Sequence, residues 1–139
     1  MESIKSKIDD ALFLWGNGRK ESAFLLAVVC VAALSKQLYP SEKDGEAFKK
    51  TFRSFYRFTL SVEFRGKLEP IEYIFYKWIR CALVHEGEIP FDILIMDDSN
   101  QESLSIRAGG YPEFTLKIGT GWFFLITNYI LNIGEVKKY

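Results

Sequence analysis

Apolar residues recur every three or four positions along much of the chain, and short polar or glycine-containing breaks separate these stretches. This helical spacing predicts five helices, over about 3–15, 19–38, 46–61, 70–86 and 120–133. The second is apolar nearly all round, so we expect it to be the central helix of a bundle. The pattern therefore predicts a mainly α protein, a bundle of about five helices.

The period changes after Pro90, where apolar and polar residues alternate more nearly one by one. Phe91, Ile93 and Ile95 form one such series, and Gly109 to Pro112 is typical of a turn. The alternation predicts three short strands, over about 91–96, 103–107 and 113–118. We expect a single domain with a small antiparallel β-meander inserted at about 90–118, between bundle segments 1–89 and 119–139.

Composition and charge narrow the class of protein. With 139 residues, of which 48% are hydrophobic and 16% aromatic, the chain is long enough for one folded domain with a core. Eighteen basic residues balance eighteen acidic ones, so bulk charge favours neither nucleic acid nor an anionic membrane. A local basic face remains compatible with this neutrality. Two cysteines provide neither a disulfide framework nor a four-ligand zinc spacing.

Targeting and membrane signals are weak. Residues 1–10 mix charges where a signal peptide needs an apolar core, and the longest apolar run, 23–34, is shorter than the roughly 20 residues that cross a bilayer. We expect a cytoplasmic protein without a membrane partner. Cys30 lies in this run and is expected to act as a small buried hydrophobe.

The helix over 70–86 carries the candidate chemistry. Projected at about 100° per residue, its core face comprises Ile71, Phe75, Trp78, Ile79, Ala82 and Leu83. The remaining arc comprises Tyr73, Lys77, Arg80, Cys81, Val84 and His85. Arg80 and His85 are about 140° and 7.5 Å of rise apart, near enough for long side chains to converge on one site.

Histidine and arginine together suit chemistry at an RNA phosphodiester. His85 can take and return a proton near neutral pH, and the Arg80 guanidinium can bind the phosphate as its negative charge grows. This transesterification requires no metal ion or cofactor. The alternative is that His85 caps the last carbonyls of its helix while Arg80 pairs with a nearby carboxylate.

A basic stripe on the third predicted helix is the second candidate feature. Lys49, Arg53 and Arg57 follow i, i+4, i+8 spacing, which either forms a solvated face or contacts RNA. Together with Lys77 these are the predicted phosphate-binding residues.

The segment Arg80-Cys81-Ala82-Leu83-Val84-His85 resembles the signature of the HEPN superfamily, an Arg followed after four to six residues by His near a helix end. Glu86-Gly87, the aromatic lead-in and the order of the helices are also similar. The resemblance implies a HEPN-like bundle and a homodimer, in which two motif helices form a composite, metal-independent ribonuclease site. Many relatives look like toxins or defence effectors, some with a small nucleotidyltransferase as antitoxin.

The chain departs from active HEPN members at Cys81, where they usually carry Asn, Asp or His. A thiol hydrogen-bonds poorly, so Cys81 is a weak orienting group at this position. Cys81, Glu86 and Tyr73 are predicted as supporting residues. Two functions stay open: an endoribonuclease that leaves a 2′,3′-cyclic phosphate, and a non-catalytic nucleotide- or RNA-binding or scaffold dimer. A purely structural interaction protein is the third alternative. The β insertion is absent from the plainest members and fits a lid, a dimer arm or a regulatory surface.

Overall fold

Helices account for most of the residues that the structure describes. The computed structural model describes residues 1–96, 104–109 and 115–136. Its five helices are α1 (Glu2–Gly16), α2 (Lys20–Leu38), α3 (Asp44–Arg53), α4 (the consecutive segments Ile71–Ile74, Phe75–Arg80 and Cys81–Glu86) and α5 (Thr120–Val136). The prediction of a mainly helical protein with about five helices is confirmed.

Helix α2 is the central helix of the bundle, as its nearly continuous apolar sequence predicts. It packs against α1, α3, α4 and α5, and it buries eight residues, Ala23, Phe24, Ala27, Val28, Cys30, Val31, Leu34 and Ser35. Among the described helices, α2 is also the one long and apolar enough to cross a membrane by length and composition. Its packing against four other helices is that of the core helix of a bundle.

Helix α3 is shorter than the predicted 46–61, since it ends at Arg53. The Ser54 amide and hydroxyl both donate to the carbonyl of Thr51, which closes the last turn. Beyond it, Phe55 and Tyr56 are buried against Tyr129 and Trp122 of α5. This tertiary packing overrides the local helical spacing.

A β-hairpin that the sequence pattern does not predict occupies the stretch before α4. Its antiparallel strands are β1 (Ser61–Phe64) and β2 (Lys67–Pro70), joined by Arg65 and Gly66. Both joining residues have positive φ, 53° and 81°, the geometry of a type I′ turn. Arginine is unusual there, because a left-handed backbone costs a residue with a Cβ about 1–2 kcal/mol.

Helix α4 is continuous but not uniformly α-helical. Its middle segment, Phe75–Arg80, is a π-helix, in which the hydrogen bonds span one residue more than in an α-helix. The projection at 100° per residue therefore does not hold through this segment. The helix ends at Gly87, whose φ of 76° is left-handed, as the sequence predicts.

The inserted strands form a mixed sheet, so the predicted antiparallel β-meander is wrong. The strands are β3 (Ile93–Ile95), β4 (Ile106–Ala108) and β5 (Leu116–Ile118), in the order β3-β5-β4. β5 pairs in parallel with β3 and antiparallel with β4. β5 takes the centre because both its apolar side chains are buried, whereas most of β4 is exposed.

Parts of the predicted insertion lie outside the described residues. These are residues 97–103, which include the start of the weaker strand, and residues 110–114, which include most of the predicted turn and the start of the last strand.

Candidate functional site

Helix α4 separates a core face from an outer face, largely as predicted. Of the predicted core residues, Ile71, Phe75, Ile79, Ala82 and Leu83 are buried. Trp78 is only half-buried, which corrects its assignment to the core. On the outer arc Lys77, Val84 and His85 are exposed, while Tyr73, Arg80 and Cys81 are half-buried.

A groove of about 640 Å³ runs beside this outer arc, and we call it the His85 groove. Residues of α4 form one wall of the groove. Arg65 of the hairpin turn forms a second wall, and the segment 88–91, which follows α4, forms the third. The amide of Ile89 donates to Glu21 Oε1 at 3.0 Å, which fixes that segment to α2. The groove is lined by Arg65, Lys77, Trp78, Cys81, Ala82, His85, Glu86, Glu88, Ile89, Pro90 and Phe91.

Arg65 at the hairpin turn forms the most constrained wall of the groove. Its guanidinium donates from Nε and one Nη to both carboxylate oxygens of Asp92, at 2.8 and 2.9 Å. It also lies over the ring of Trp78, 4.1 Å from the centroid, and near that of Phe64. The hydrogen bonds from Arg65 lower the pKa of Asp92 and raise that of Arg65 itself. These interactions offset the cost of the strained turn.

His85 lies near the end of α4 with an exposed side chain facing solvent and the groove. Within the described part of the chain its imidazole makes no hydrogen bond or ion pair. The alternative in which His85 caps its own helix is therefore not observed. Cys81 and Lys77, about one and two turns earlier on the same side of α4, line the groove with it.

Arg80 points to the other border of the outer arc, toward α3. Its Nη1 lies 3.2 Å from Asp44 Oδ2, and its guanidinium lies 5.8 Å from the Tyr76 ring centroid. The expected pairing of Arg80 with a nearby carboxylate is thus present. Tyr76 in turn covers Gly45, where an added Cβ would lie 3.0 Å from its ring.

Cys81 lies between Arg80, on the α3 side of α4, and His85, on the groove side. Arg80 Nη1 lies 3.7 Å from its sulfur, and the same residue lines the groove with His85. Burial, reinforced by the neighbouring Cys81 thiol, raises the pKa of the Tyr76 hydroxyl. In one chain, Arg80 and His85 therefore flank a common exposed strip of α4, but Arg80 is not among the residues that line the His85 groove.

Helix α3 runs antiparallel to α4, and this places the predicted basic stripe beside the motif helix. Lys49 lies 6.0 Å from the Tyr73 ring centroid, and Arg53 Nε lies 3.3 Å from Glu72 Oε2. Lys49 also pairs with Glu46 at 3.0 Å. Arg57 lies beyond the end of α3, which corrects its place on the helical stripe.

Sequence reasoning missed three residues that shape the site: Arg65, Asp92 and Asp44. The pair Arg65-Gly66 between alternating residues was the available signal for a hairpin, but Arg is rare at that turn position. No local pattern indicates that Asp92 or Asp44 would meet an arginine of another element. Glu86, a predicted supporting residue, is exposed at the groove rim.

Comparison with known proteins identifies a family. A family model described as Rv1289 matches residues 3–117, so the chain belongs to the Rv1289 family. No curated protein and no solved structure matches the chain. The family name specifies neither an activity nor a ligand.

Proposed function

We propose that this member of the Rv1289 family binds RNA in the His85 groove and cleaves it as a homodimer, without a metal ion. The observation that carries the proposal is the shared lining of one groove by His85, Lys77 and Arg65. The imidazole, a side chain suited to general acid–base catalysis, then stands beside the Lys77 ammonium, which attracts phosphate, and beside the Arg65 guanidinium, which Asp92 holds in place. The HEPN-like motif from Arg80 to His85 also supports RNA cleavage.

The reaction would be a transesterification within the RNA strand. His85 takes the proton of a 2′-hydroxyl, whose oxygen attacks the neighbouring phosphorus as the bond to the 5′-oxygen breaks. The leaving 5′-oxygen receives a proton from a protonated imidazole, which a second copy of His85 can supply. The products are a 2′,3′-cyclic phosphate and a 5′-hydroxyl. Lys77 and Arg80 would balance the charge that grows on the phosphate oxygens.

A homodimer is part of the proposal because it brings two motif helices together. The exposed apolar side chains of Val84 and Phe91, 48% and 90% exposed, lie on the helix and at the groove rim beside His85. Contiguous exposed apolar patches are typical of interfaces, and these two side chains would contribute to such a patch in the proposed dimer. A cytoplasmic role as a toxin or defence effector, with an antitoxin such as a small nucleotidyltransferase, belongs to the same proposal.

The test is cleavage of a labelled single-stranded RNA by the purified chain with EDTA present. We expect products that end in a 2′,3′-cyclic phosphate, and a loss of at least about 100-fold in rate for His85→Ala. Gln37→Ala, a truncation of an exposed residue of α2 that does not line the groove, is the control and should retain the rate. Cleavage by His85→Ala at the rate of the unaltered chain would refute the assignment.

A second candidate, RNA or nucleotide binding without cleavage, is favoured by the ion pair between Arg80 and Asp44. An arginine held by a carboxylate is less available to a phosphate. Asp44→Asn releases Arg80 and is expected to tighten RNA binding about three- to tenfold at low salt. Asp9→Asn, which removes an exposed charge from α1, is the control. If Asp44→Asn tightens binding but the RNA stays intact, the non-catalytic candidate is the correct one.

A further inference from the structure

A second groove, of about 530 Å³, lies at the C-terminal end of α3, and we call it the Phe58 groove. It shares none of its described lining residues with the His85 groove. Three of these residues are basic, three are aromatic and, among those that the structure describes, none is acidic. They are Tyr39, Lys50, Arg53, Ser54, Tyr56, Arg57, Phe58 and Thr59.

The charge of this groove is positive even after its ion pairs are counted. Lys50 hydrogen-bonds to Glu42, and Arg53 pairs with Glu72. Arg57 is exposed, and within the described part of the chain it has no ion-pair partner. Three cations thus face two carboxylates, and one guanidinium is ready to bind an anion.

The aromatic rings make the groove more than a basic patch. Phe58 is 48% exposed, although its ring lies 4.9 Å from that of Tyr56. Tyr56 is held from behind by Trp122 and by its hydroxyl, 3.4 Å from Glu72 Oε1. Phe58 therefore presents a supported ring to solvent, beside Arg57. A nucleobase stacked on the ring, with its phosphate on the guanidinium, satisfies both groups.

We infer that the Phe58 groove is a binding subsite for one nucleotide of a single-stranded RNA. A single strand is required because bases in a duplex are stacked on each other and cannot reach an aromatic side chain. Helix α3 spans about 15 Å between this groove and the Arg80 border of α4, with Lys49 on the seam between them. The inference rests on the proposed function for the identity of the ligand. In it, one part of the bound RNA lies in the Phe58 groove while another part lies at His85.

The experiment measures fluorescence anisotropy of a labelled 12-nucleotide RNA with the full chain carrying His85→Ala, so that the RNA stays intact. Phe58→Ala is expected to weaken binding about tenfold, as loss of one base stack does. Arg57→Gln is expected to lower the salt dependence, the slope of log K against log salt, by about 0.7. The same RNA annealed to its complement should bind with no dependence on Phe58.

Two control variants match these changes. Phe13→Ala truncates another exposed ring, 70% exposed on α1, and Arg19→Gln removes an exposed guanidinium that lines neither groove. Single-stranded RNA that binds Phe58→Ala and Arg57→Gln as tightly as these controls, or that does not bind the chain at all, would overturn the inference. Cleavage assays on the chain with His85 intact report the proposed activity separately. A chain that binds through Phe58 but does not cut retains the subsite and loses only the nuclease assignment.

Discussion

The pair of Arg65 and Asp92 offers the sharpest test of how the groove is built. Two charge-assisted hydrogen bonds, at 2.8 and 2.9 Å, join the hairpin turn to the residue before β3. Hydrogen bonds to charged groups contribute about 1.5–3 kcal/mol each when buried. The Asp92 side chain is only 12% exposed, but that of Arg65 is 41% exposed, so solvent screening reduces the sum. We expect a coupling free energy of about 1–2 kcal/mol.

A double-mutant cycle of Arg65→Ala and Asp92→Ala, followed by urea unfolding, measures this coupling. Alanine and arginine pay a similar cost at positive φ, so Arg65→Ala removes the side-chain interactions without relieving the turn. Asp92→Ala alone should cost about 2 kcal/mol and lower the Tm by about 6–8 °C. The control cycle uses Lys49 and Glu46, whose carboxylate is 60% exposed, and should give about 0.3 kcal/mol. A coupling for Arg65 and Asp92 no larger than this control would refute the argument.

The same pair makes stability depend on pH in a defined direction. Arg65 lowers the pKa of Asp92 in the folded chain below the value near 3.9 of the unfolded chain. The stabilisation is therefore fully present above about pH 5 and is lost as the pH falls through the unfolded and then the folded pKa. Unfolding measured from pH 7 down to pH 3 should show the Arg65→Ala variant losing less stability than the unaltered chain. An equal loss in both would exclude Asp92 as the titrating group.

Two further predictions concern the core. Burial raises the pKa of Cys30 to about 11, so at pH 8 a disulfide reagent should label Cys81 quickly and Cys30 only after unfolding, as counted by mass spectrometry; rapid labelling of both in the folded chain would contradict this. Trp122 is fully buried, and its indole N–H has no hydrogen-bond partner among the described residues. Trp122→Phe should cost less than about 1.5 kcal/mol in urea unfolding, against about 3–5 kcal/mol for Trp122→Ala. Equal costs for the two variants would contradict the expectation that the unpartnered N–H contributes little to stability.

The local pattern of the sequence determined the helices and the face each one buries. The stripes on α1 and α4 repeat at helical spacing, and the buried residues Ile8, Phe75 and Ile79 fall on them. Helix α2 is instead apolar nearly all round, as its central place in the bundle requires. Such stripes are readable because neighbours three and four residues apart share a face whatever the rest of the chain does. The separation of Lys77 and His85 from the core was predictable for the same reason.

Only the tertiary structure decided what those outer residues meet. Asp44 holds Arg80 because α3 runs antiparallel to α4, and Arg65 reaches Trp78 because a hairpin precedes α4. The centre of the small sheet went to β5 because burial of Leu116 and Ile118 outweighs the simpler connection of a meander. These contacts depend on which helices and strands pack together, and the periodicity of a single segment does not specify its partners.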